Sequence, residues 1–207
     1  MIDGGGSTRL LTVLRRVAEA LDERRQPWAL VGGLAVSVRS EPRFTRDIDV
    51  AAAVIDDAGA EALVSSLLAM GFRLRLSLEH EALKRLATVR LSPPGEPEEG
   101  VVVDVLFASS GIEDEICQEA EGLELAPGLI VPVAQAGHLV AMKLLALAPD
   151  RPQDAIDLRA LVATLSAADR GRARAATARI EELGANRSKP LREELERWLG
   201  EAPSNPR

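Results

Sequence analysis

A diglycine followed by two alternating aspartates is the feature that most constrains how this chain folds. The segment runs from Gly32-Gly33 to Asp47-Ile-Asp49. Because side chains on a β-strand alternate between its two faces, the two carboxylates share one face and their apolar neighbours the other. Converging carboxylates suit Mg²⁺, which prefers oxygen ligands, and glycine lets backbone N–H groups approach a phosphate closely. The segment therefore predicts a site for a metal–triphosphate.

A third aspartate interrupts a strongly apolar run. Asp104 lies within Val101–Phe107, where an unpaired buried carboxylate is costly and needs a metal, arginine or lysine partner. Taken alone, the residue favours a salt bridge. Beside Asp47 and Asp49, it indicates a two-ion Mg²⁺ site, because three carboxylates on neighbouring strands can hold both metals of a phosphoryl-type displacement.

Composition restricts the classes of partner. The chain has 207 residues and a net charge of −7, which disfavours a general nucleic-acid-binding surface. Aromatic residues make up 2%, too few for base-stacking platforms. Residues 168–192 carry seven basic side chains against three acidic ones. An ordinary solvated helix face is the simpler interpretation of that segment, and contact with RNA is the alternative.

The expected setting is cytoplasmic, with no membrane partner. Cys117 is the single cysteine, which excludes a disulfide framework, and no basic-then-apolar leader opens the sequence. The longest apolar stretch, residues 129–148, is interrupted by polar residues and predicts a strand end and a core helix.

Hydrophobic periodicity divides the chain near residue 132. Strands are predicted at 28–31, 46–52, 72–78, 84–91, 101–107 and 129–131. Helices are predicted after the boundary at 134–148, 151–164, 168–184 and 189–199. We therefore expect an α/β core over residues 1–132 and a helical region over residues 133–207.

Two motifs carry a resemblance to a known family. The first reads Val31-Gly-Gly-Leu-Ala-Val36 and Arg43-Phe-Thr-Arg-Asp47-Ile-Asp-Val50; the second reads His138-Leu-Val-Ala-Met-Lys143-Leu144, Arg151 and Asp154-Ala-Ile-Asp157. The chain resembles nucleotidyltransferases of the polymerase-β-like fold, and more narrowly the AbiEii/AbiGii toxin-like enzymes of type IV toxin–antitoxin systems. The resemblance implies an α+β fold: a mixed sheet with helices, followed by a C-terminal helical bundle.

The resemblance also implies an activity and its residues. The activity is Mg²⁺-dependent transfer of a nucleoside monophosphate from an NTP to an acceptor hydroxyl, with tRNA or another RNA as acceptor and a cognate antitoxin as partner. The implied catalytic residues are Asp47, Asp49, Asp104 and Lys143. The implied nucleotide-binding residues are Gly32, Gly33, Arg43, Thr45, Lys143, Arg151 and Asp157. Gly33 stands where many members have serine, so one hydroxyl for a phosphate is missing.

Several alternatives stay open at this point. Lys143 interrupts an apolar helix, so it either extends to solvent or points into the cleft toward phosphates, which the motif favours. Asp157 could orient Lys143 or Arg151, and Arg43 and Thr45 either fix the aspartate loop or contact phosphate. The acceptor could instead be a small molecule or a protein, and a catalytically silent nucleotide-binding homologue is the non-enzyme alternative.

Overall fold

The fold is built on one mixed sheet. The computed structural model describes residues 4–80 and 85–200 of the chain. Within these residues the strands are β1 (Trp28–Val31), β2 (Asp47–Ala52), β3 (Arg73–His80), β4 (Arg85–Ser92), β5 (Val102–Leu106), β6 (Glu121–Ala126) and β7 (Leu129–Val133). Their order across the sheet is β3-β4-β5-β2-β1-β7-β6.

Strand β2 occupies the middle of this sheet. It pairs antiparallel with β1 and parallel with β5, while β5 pairs antiparallel with β4. The register aligns Asp49 with Asp104, and Asp104 with Arg90, in one row across three strands. A row of charged residues therefore crosses the centre of the sheet.

The register of β2 is fixed by its apolar face. Ile48 and Val50 are fully buried. Burying each such side chain contributes about 1.5–3 kcal/mol. A slip of one residue would exchange these side chains with the aspartates, so the core holds the aspartates on the opposite face.

Helices cover the sheet and extend the chain beyond it. They are α1 (Gly4–Asp22), α2 (Gly32–Arg39), α3 (Asp57–Ala69), α4 (Glu113–Gln118), α5 (Ala136–Ala146), α6 (Pro152–Thr164), α7 (Ala167–Glu182) and α8 (Leu191–Leu199). Two begin at side-chain caps: Asp56 accepts from the Gly59 N–H before α3, and Ser166 forms a capping box with Asp169 before α7.

Close packing of α5 against α7 positions the helix that carries Lys143. A Cβ on Gly137 would lie 2.4 Å from the Asp169 carbonyl oxygen, so only glycine fits this crossing without a backbone shift. Leu139 and Leu144 of α5 are buried in the same core that the sheet uses.

The predicted α+β class is confirmed, with two differences in detail. Each predicted strand is present, although residue 84 at the start of one prediction lies outside the described residues. Strand β6 is absent from the prediction, because its first half, Glu121-Gly-Leu123, contains a glutamate and a glycine, both of which are depleted in strands. Among the described helices, none has the length and apolarity needed to cross a bilayer.

Candidate active site

Three aspartates share one face of the sheet where β2 meets β5. The parallel register sets Asp49 opposite Asp104, and Asp47 one alternation earlier on β2. The intervening β2 residues are buried, so both β2 aspartates point to the other face. The structure thus brings the three predicted aspartates onto one surface, while their metal-binding and catalytic roles stay predictions.

Asp104 is held by Arg90, its cross-strand neighbour on β4. Arg90 Nε donates to Oδ1 at 2.8 Å and a terminal nitrogen donates to Oδ2 at 2.6 Å, which makes a bidentate ion pair. Because Asp104 is buried, this pair offsets the cost of a charge in an apolar strand. The salt bridge considered for Asp104 therefore exists, and a metal on Asp104 would share the carboxylate with Arg90.

Asp49 lies among like charges. Burial, and then Asp104, raise the pKa of Asp49 to about 6, while Lys143 and a hydrogen bond from the Gly33 N–H oppose that rise. Burial also raises the pKa of Asp47, against the lowering effect of Arg90. A cation bound between these carboxylates would relieve their mutual repulsion.

The β2 aspartates fit a divalent cation better than Asp104 does. Neither Asp47 nor Asp49 forms an ion pair with any residue in the described part of the chain. Their carboxylate oxygens are the donors that Mg²⁺ prefers. Among the described residues, one group of acidic and histidine side chains has ligand atoms that all lie within 4.8 Å of one another. This separate cluster consists of Glu115, Glu119 and His138, and it does not include the aspartates. The aspartates therefore do not form a closed metal site by themselves.

The two carboxylates of the separate cluster already have partners. His138 Nε2 lies 3.1 Å from Glu115 Oε1, and Arg172 Nε donates to Glu119 Oε2 at 2.6 Å. The Arg172 guanidinium would repel an added cation. These contacts tie α5 and α7 to the end of α4.

The diglycine turn packs closely against two charged side chains of the protein, those of Asp49 and Arg43. Gly32 has φ +63°, and a Cβ on it would lie 1.9 Å from Asp49 Oδ2. A Cβ on Gly33 would lie 2.4 Å from a terminal nitrogen of Arg43, so a serine there would displace the guanidinium. Glycine at position 33 therefore leaves room for the Arg43 nitrogen that donates to Asp157. Contact between this turn and a nucleotide phosphate stays a prediction.

Lys143 is clamped between two aspartates of α6. Its Nζ lies 2.7 Å from Asp154 and 2.8 Å from Asp157. Asp157 also lies 2.7 Å from Arg43 Nε, and Asp154 lies 3.0 Å from Arg151 Nε. Burial raises the pKa of Asp157, but hydrogen bonds from its partners outweigh it and hold the pKa below its usual value. Asp157 therefore orients Lys143 and Arg43 rather than Arg151.

An open pocket of about 310 Å³ lies against the aspartate face. We call it the aspartate pocket. The predicted site residues that line it are Gly32, Asp49, Asp104, Lys143 and Arg151. The predicted site residues outside its lining are Gly33, Arg43, Thr45, Asp47 and Asp157. Thr45 Oγ1 contacts the Asp47 carbonyl at 3.4 Å, which agrees with the alternative that Thr45 fixes the aspartate loop.

Three charged residues that line this pocket are not predicted from the sequence to belong to the site: Arg90, Arg187, and Asp154, which lies in the second motif without an assigned role. Arg90 follows Thr88 by two positions in a strand that alternates polar and apolar residues, so it shares the polar face, which is a weak signal for the site. Asp154 lies in the first turn of α6, where the helix dipole alone accounts for an acid. Arg187 belongs to neither motif.

Comparison with solved structures establishes the fold. An antigenic nucleotidyltransferase-like protein from Paracoccidioides brasiliensis has a TM-score of 0.56 at 19% identity, over 95% of this chain and 94% of that chain. The solution structure of the antibiotic-resistance factor ANT(2'')-Ia has a TM-score of 0.53 at 20% identity, over 87% of this chain and 95% of that chain. ANT(2'')-Ia with adenylyl-2''-tobramycin has a TM-score of 0.52 at 16% identity, over 83% and 96%.

Sequence comparison identifies the family. No curated protein matches the chain in sequence. The family model described as the AbiEii nucleotidyl transferase toxin of type IV toxin–antitoxin systems matches residues 13–206, nearly the whole chain. The protein is therefore a nucleotidyltransferase and belongs to the AbiEii toxin family of type IV toxin–antitoxin systems.

Proposed function

We propose that this nucleotidyltransferase moves a nucleoside monophosphate from a Mg²⁺-bound NTP to an acceptor hydroxyl and releases pyrophosphate. The observation that carries the proposal is the pairing of Asp49 with Asp104 across β2 and β5 at an open pocket that Lys143 also lines. Asp47 and Asp49 would hold the Mg²⁺. A second ion would require Asp104, which Arg90 already binds.

The reaction divides between these side chains. A Mg²⁺ ion held by Asp47 and Asp49 would supply positive charge to the triphosphate oxygens and to the charge that develops in the displacement. The hydroxyl oxygen of the acceptor forms a bond to the α-phosphorus, and Asp104 accepts the proton that this hydroxyl loses. The bond from the α-phosphorus to the bridging oxygen breaks, and pyrophosphate leaves with the electron pair. Catalysis then depends on positioning and electrostatics rather than on a covalent enzyme intermediate.

Lys143 and Arg151 are the proposed partners of the leaving phosphates. Lys143 is held rigidly by Asp154 and Asp157, so little conformational entropy is lost when it contacts a phosphate. Arg151 is more exposed, with 59% of its side chain accessible, and can move toward the ligand. Gly32 lets the backbone at the start of α2 lie beside the nucleotide.

RNA, and tRNA in particular, is the acceptor that we propose. The motif resemblance to toxin-like nucleotidyltransferases favours an RNA acceptor, whereas the fold similarity to ANT(2'')-Ia, a structure with adenylyl-2''-tobramycin, keeps a small-molecule acceptor as the second candidate. The basic segment 168–192 gives little support, because four of its arginines pair with glutamates: Arg172, Arg174, Arg179 and Arg192. A protein acceptor and a silent homologue are outcomes of the tests below.

We also propose the setting in which the enzyme works. The type IV toxin family supports a cognate antitoxin as partner. A single cysteine, Cys117, which cannot form a disulfide within the chain, supports a cytoplasmic setting. A core over residues 1–132 with a helical region over 133–207 accounts for a pocket whose walls come from both parts.

The proposed activity is tested with each α-labelled NTP, Mg²⁺ and total tRNA. The wild-type protein is expected to label RNA, and Asp49→Ala to leave it unlabelled. A panel of aminoglycosides and the protein itself serve as the alternative acceptors. Equal labelling by both proteins removes the site, and binding of Mg²⁺–NTP without any product supports the silent homologue.

Gly32→Ala is expected to lower both stability and transfer. A non-glycine residue at this left-handed φ costs about 1–2 kcal/mol. The new Cβ also displaces the Asp49 carboxylate, and a misplacement of about 1 Å costs roughly a hundred-fold in rate. Gly95→Ala is the matched control, because Gly95 has φ +77° and a Cβ added to it would have no other atom within 4 Å. Melting temperature and transfer rate are measured for both; equal transfer in the two variants contradicts the role of Gly32.

A further inference from the structure

A second cavity opens from the aspartate pocket. It has a volume of about 970 Å³, and it shares Leu78, Thr88, Ser109 and Arg187 with the pocket. We call this cavity the side groove. Small-molecule sites span roughly 300–1,000 Å³, so the side groove and the pocket together exceed what a single small ligand fills.

The side groove lies on the Asp104 side of the pocket. Thr88 and Leu78 belong to β4 and β3, which follow β5 in the sheet, whereas Gly32 and Asp49 lie toward β1 and β2. Asp104 is the proposed acceptor of the hydroxyl proton. A molecule that brings its hydroxyl to Asp104 while the nucleotide occupies the Gly32 side therefore has its body in the side groove.

Arg187 lies where the two cavities meet. It belongs to the connection between α7 and α8, and both Arg187 and Ser188 have left-handed backbones, with φ of 51° and 60°. Such conformations cost about 1–3 kcal/mol each and persist where the surrounding structure imposes them, often at ligand clamps. Here Asn186 donates to the Lys189 carbonyl at 2.8 Å, and Lys189 Nζ donates to carbonyls at the end of α5.

The guanidinium of Arg187 has no acidic partner in the part of the chain that the structure describes. Its terminal nitrogen donates to the Ser109 carbonyl at 3.1 Å. Burial, and then the nearby Arg151, lower the pKa of Arg187. Glu113 attracts Arg187 without an ion pair, so the guanidinium is available for a charge-assisted hydrogen bond to an anion.

We infer that Arg187 binds a phosphate group of the acceptor at the junction of the side groove and the aspartate pocket. The inference rests on the proposed function and deepens it, because it makes the acceptor a phosphate-bearing chain such as RNA. An aminoglycoside, which is a polycation, would meet Arg187 and Arg151 with like charge. Leu78, with about half of its surface exposed, offers an apolar contact to a sugar or base beside that phosphate.

Arg187→Gln is the test variant, with Arg187→Lys to restore the charge. Arg192→Gln removes the same charge five positions away, where the side chain is 70% exposed and pairs with Glu181. Binding of a short fluorescein-labelled single-stranded RNA is measured by anisotropy, without NTP or Mg²⁺, over a series of salt concentrations. Melting temperatures of the three variants are recorded, and Mg²⁺–NTP binding is measured by calorimetry.

Arg187→Gln is expected to weaken RNA binding about ten-fold, the value of one charge-assisted hydrogen bond. The slope of log affinity against log salt should fall by about 0.7, corresponding to one phosphate contact on a single strand. Arg187→Lys should recover most of the affinity, Arg192→Gln should match the wild type, and Mg²⁺–NTP affinity should be unchanged.

Three results would overturn the inference. The first is no RNA binding by the wild type, and the second is equal affinity and salt slope in Arg187→Gln and the wild type. The third is loss of Mg²⁺–NTP affinity in Arg187→Gln, which assigns the phosphate to the nucleotide. Because the anisotropy assay contains no NTP, none of the RNA-binding results depends on catalysis, which Asp49→Ala tests separately.

Discussion

Asp49→Asn is expected to abolish transfer and, at the same time, to stabilise the metal-free protein. Removing a carboxylate that would hold the Mg²⁺ weakens the electrostatic stabilisation of the transition state and costs about a thousand-fold in rate. The burial and the neighbouring carboxylate that raise the pKa of Asp49 to about 6 make its charge unfavourable in the fold. Discounted for partial exposure, that rise corresponds to about 2 kcal/mol at neutral pH, or roughly 5 °C in melting temperature.

The pH dependence gives the sign of this effect. Since the folded pKa of Asp49 lies above the unfolded value near 3.8, the wild type binds more protons folded than unfolded over that interval. Its stability therefore falls as the pH rises toward about 6, and the asparagine variant escapes that loss. Thermal unfolding in EDTA should show equal melting temperatures at about pH 4 and a more stable variant at about pH 8. A less stable variant at the higher pH contradicts the assignment.

Asp157→Asn is expected to have the opposite effect on stability. Asp157 is 1% exposed and contacts Lys143 and Arg43, so its loss leaves two cations with less compensation. Breaking a buried pair of this kind costs about 3–5 kcal/mol. Because hydrogen bonds lower the pKa of Asp157 in spite of its burial, the stabilisation is complete above the unfolded value and is lost as the pH falls through the folded pKa.

Urea unfolding measures the Asp157 effect. The difference between Asp157→Asn and wild type should be largest at neutral pH and shrink below about pH 4. Asp150→Asn is the control: Asp150 is exposed, and its removal should change stability by less than about 0.5 kcal/mol. If Asp157→Asn leaves the free energy of unfolding unchanged, the cluster around Lys143 does not hold α6 to the cleft.

Local sequence patterns predict on which face of the sheet a site residue lies, but not which distant residues it contacts. The alternation at Asp47 and Asp49 is enough to place both on one face, because apolar residues on either side fill the core. Asp104 joins them only because β2 and β5 are adjacent and parallel. Spacing along the sequence does not specify that order of strands, so the motif of the family supplied it.

Contacts between distant residues explain what the sequence leaves out. Arg43 and Asp157 are 114 positions apart, and no periodicity links them. In the basic segment 168–192, interpreted from the sequence as a solvated helix face, Arg172 pairs with Glu119 and Arg174 pairs with Glu196, and no local pattern predicts these partners from other helices. Arg187 lies in a left-handed turn and lines the aspartate pocket, and amino-acid composition predicts neither feature.

The most direct test of the central claim compares two labels on the same nucleotide. Wild-type protein is incubated with Mg²⁺, total tRNA and the preferred NTP, labelled at either the α- or the γ-phosphate. We predict α-label in the RNA and γ-label in pyrophosphate, with neither product from Asp49→Asn. Label from the γ-position in the RNA, or undiminished products from Asp49→Asn, would contradict nucleotidyl transfer at the aspartate pocket.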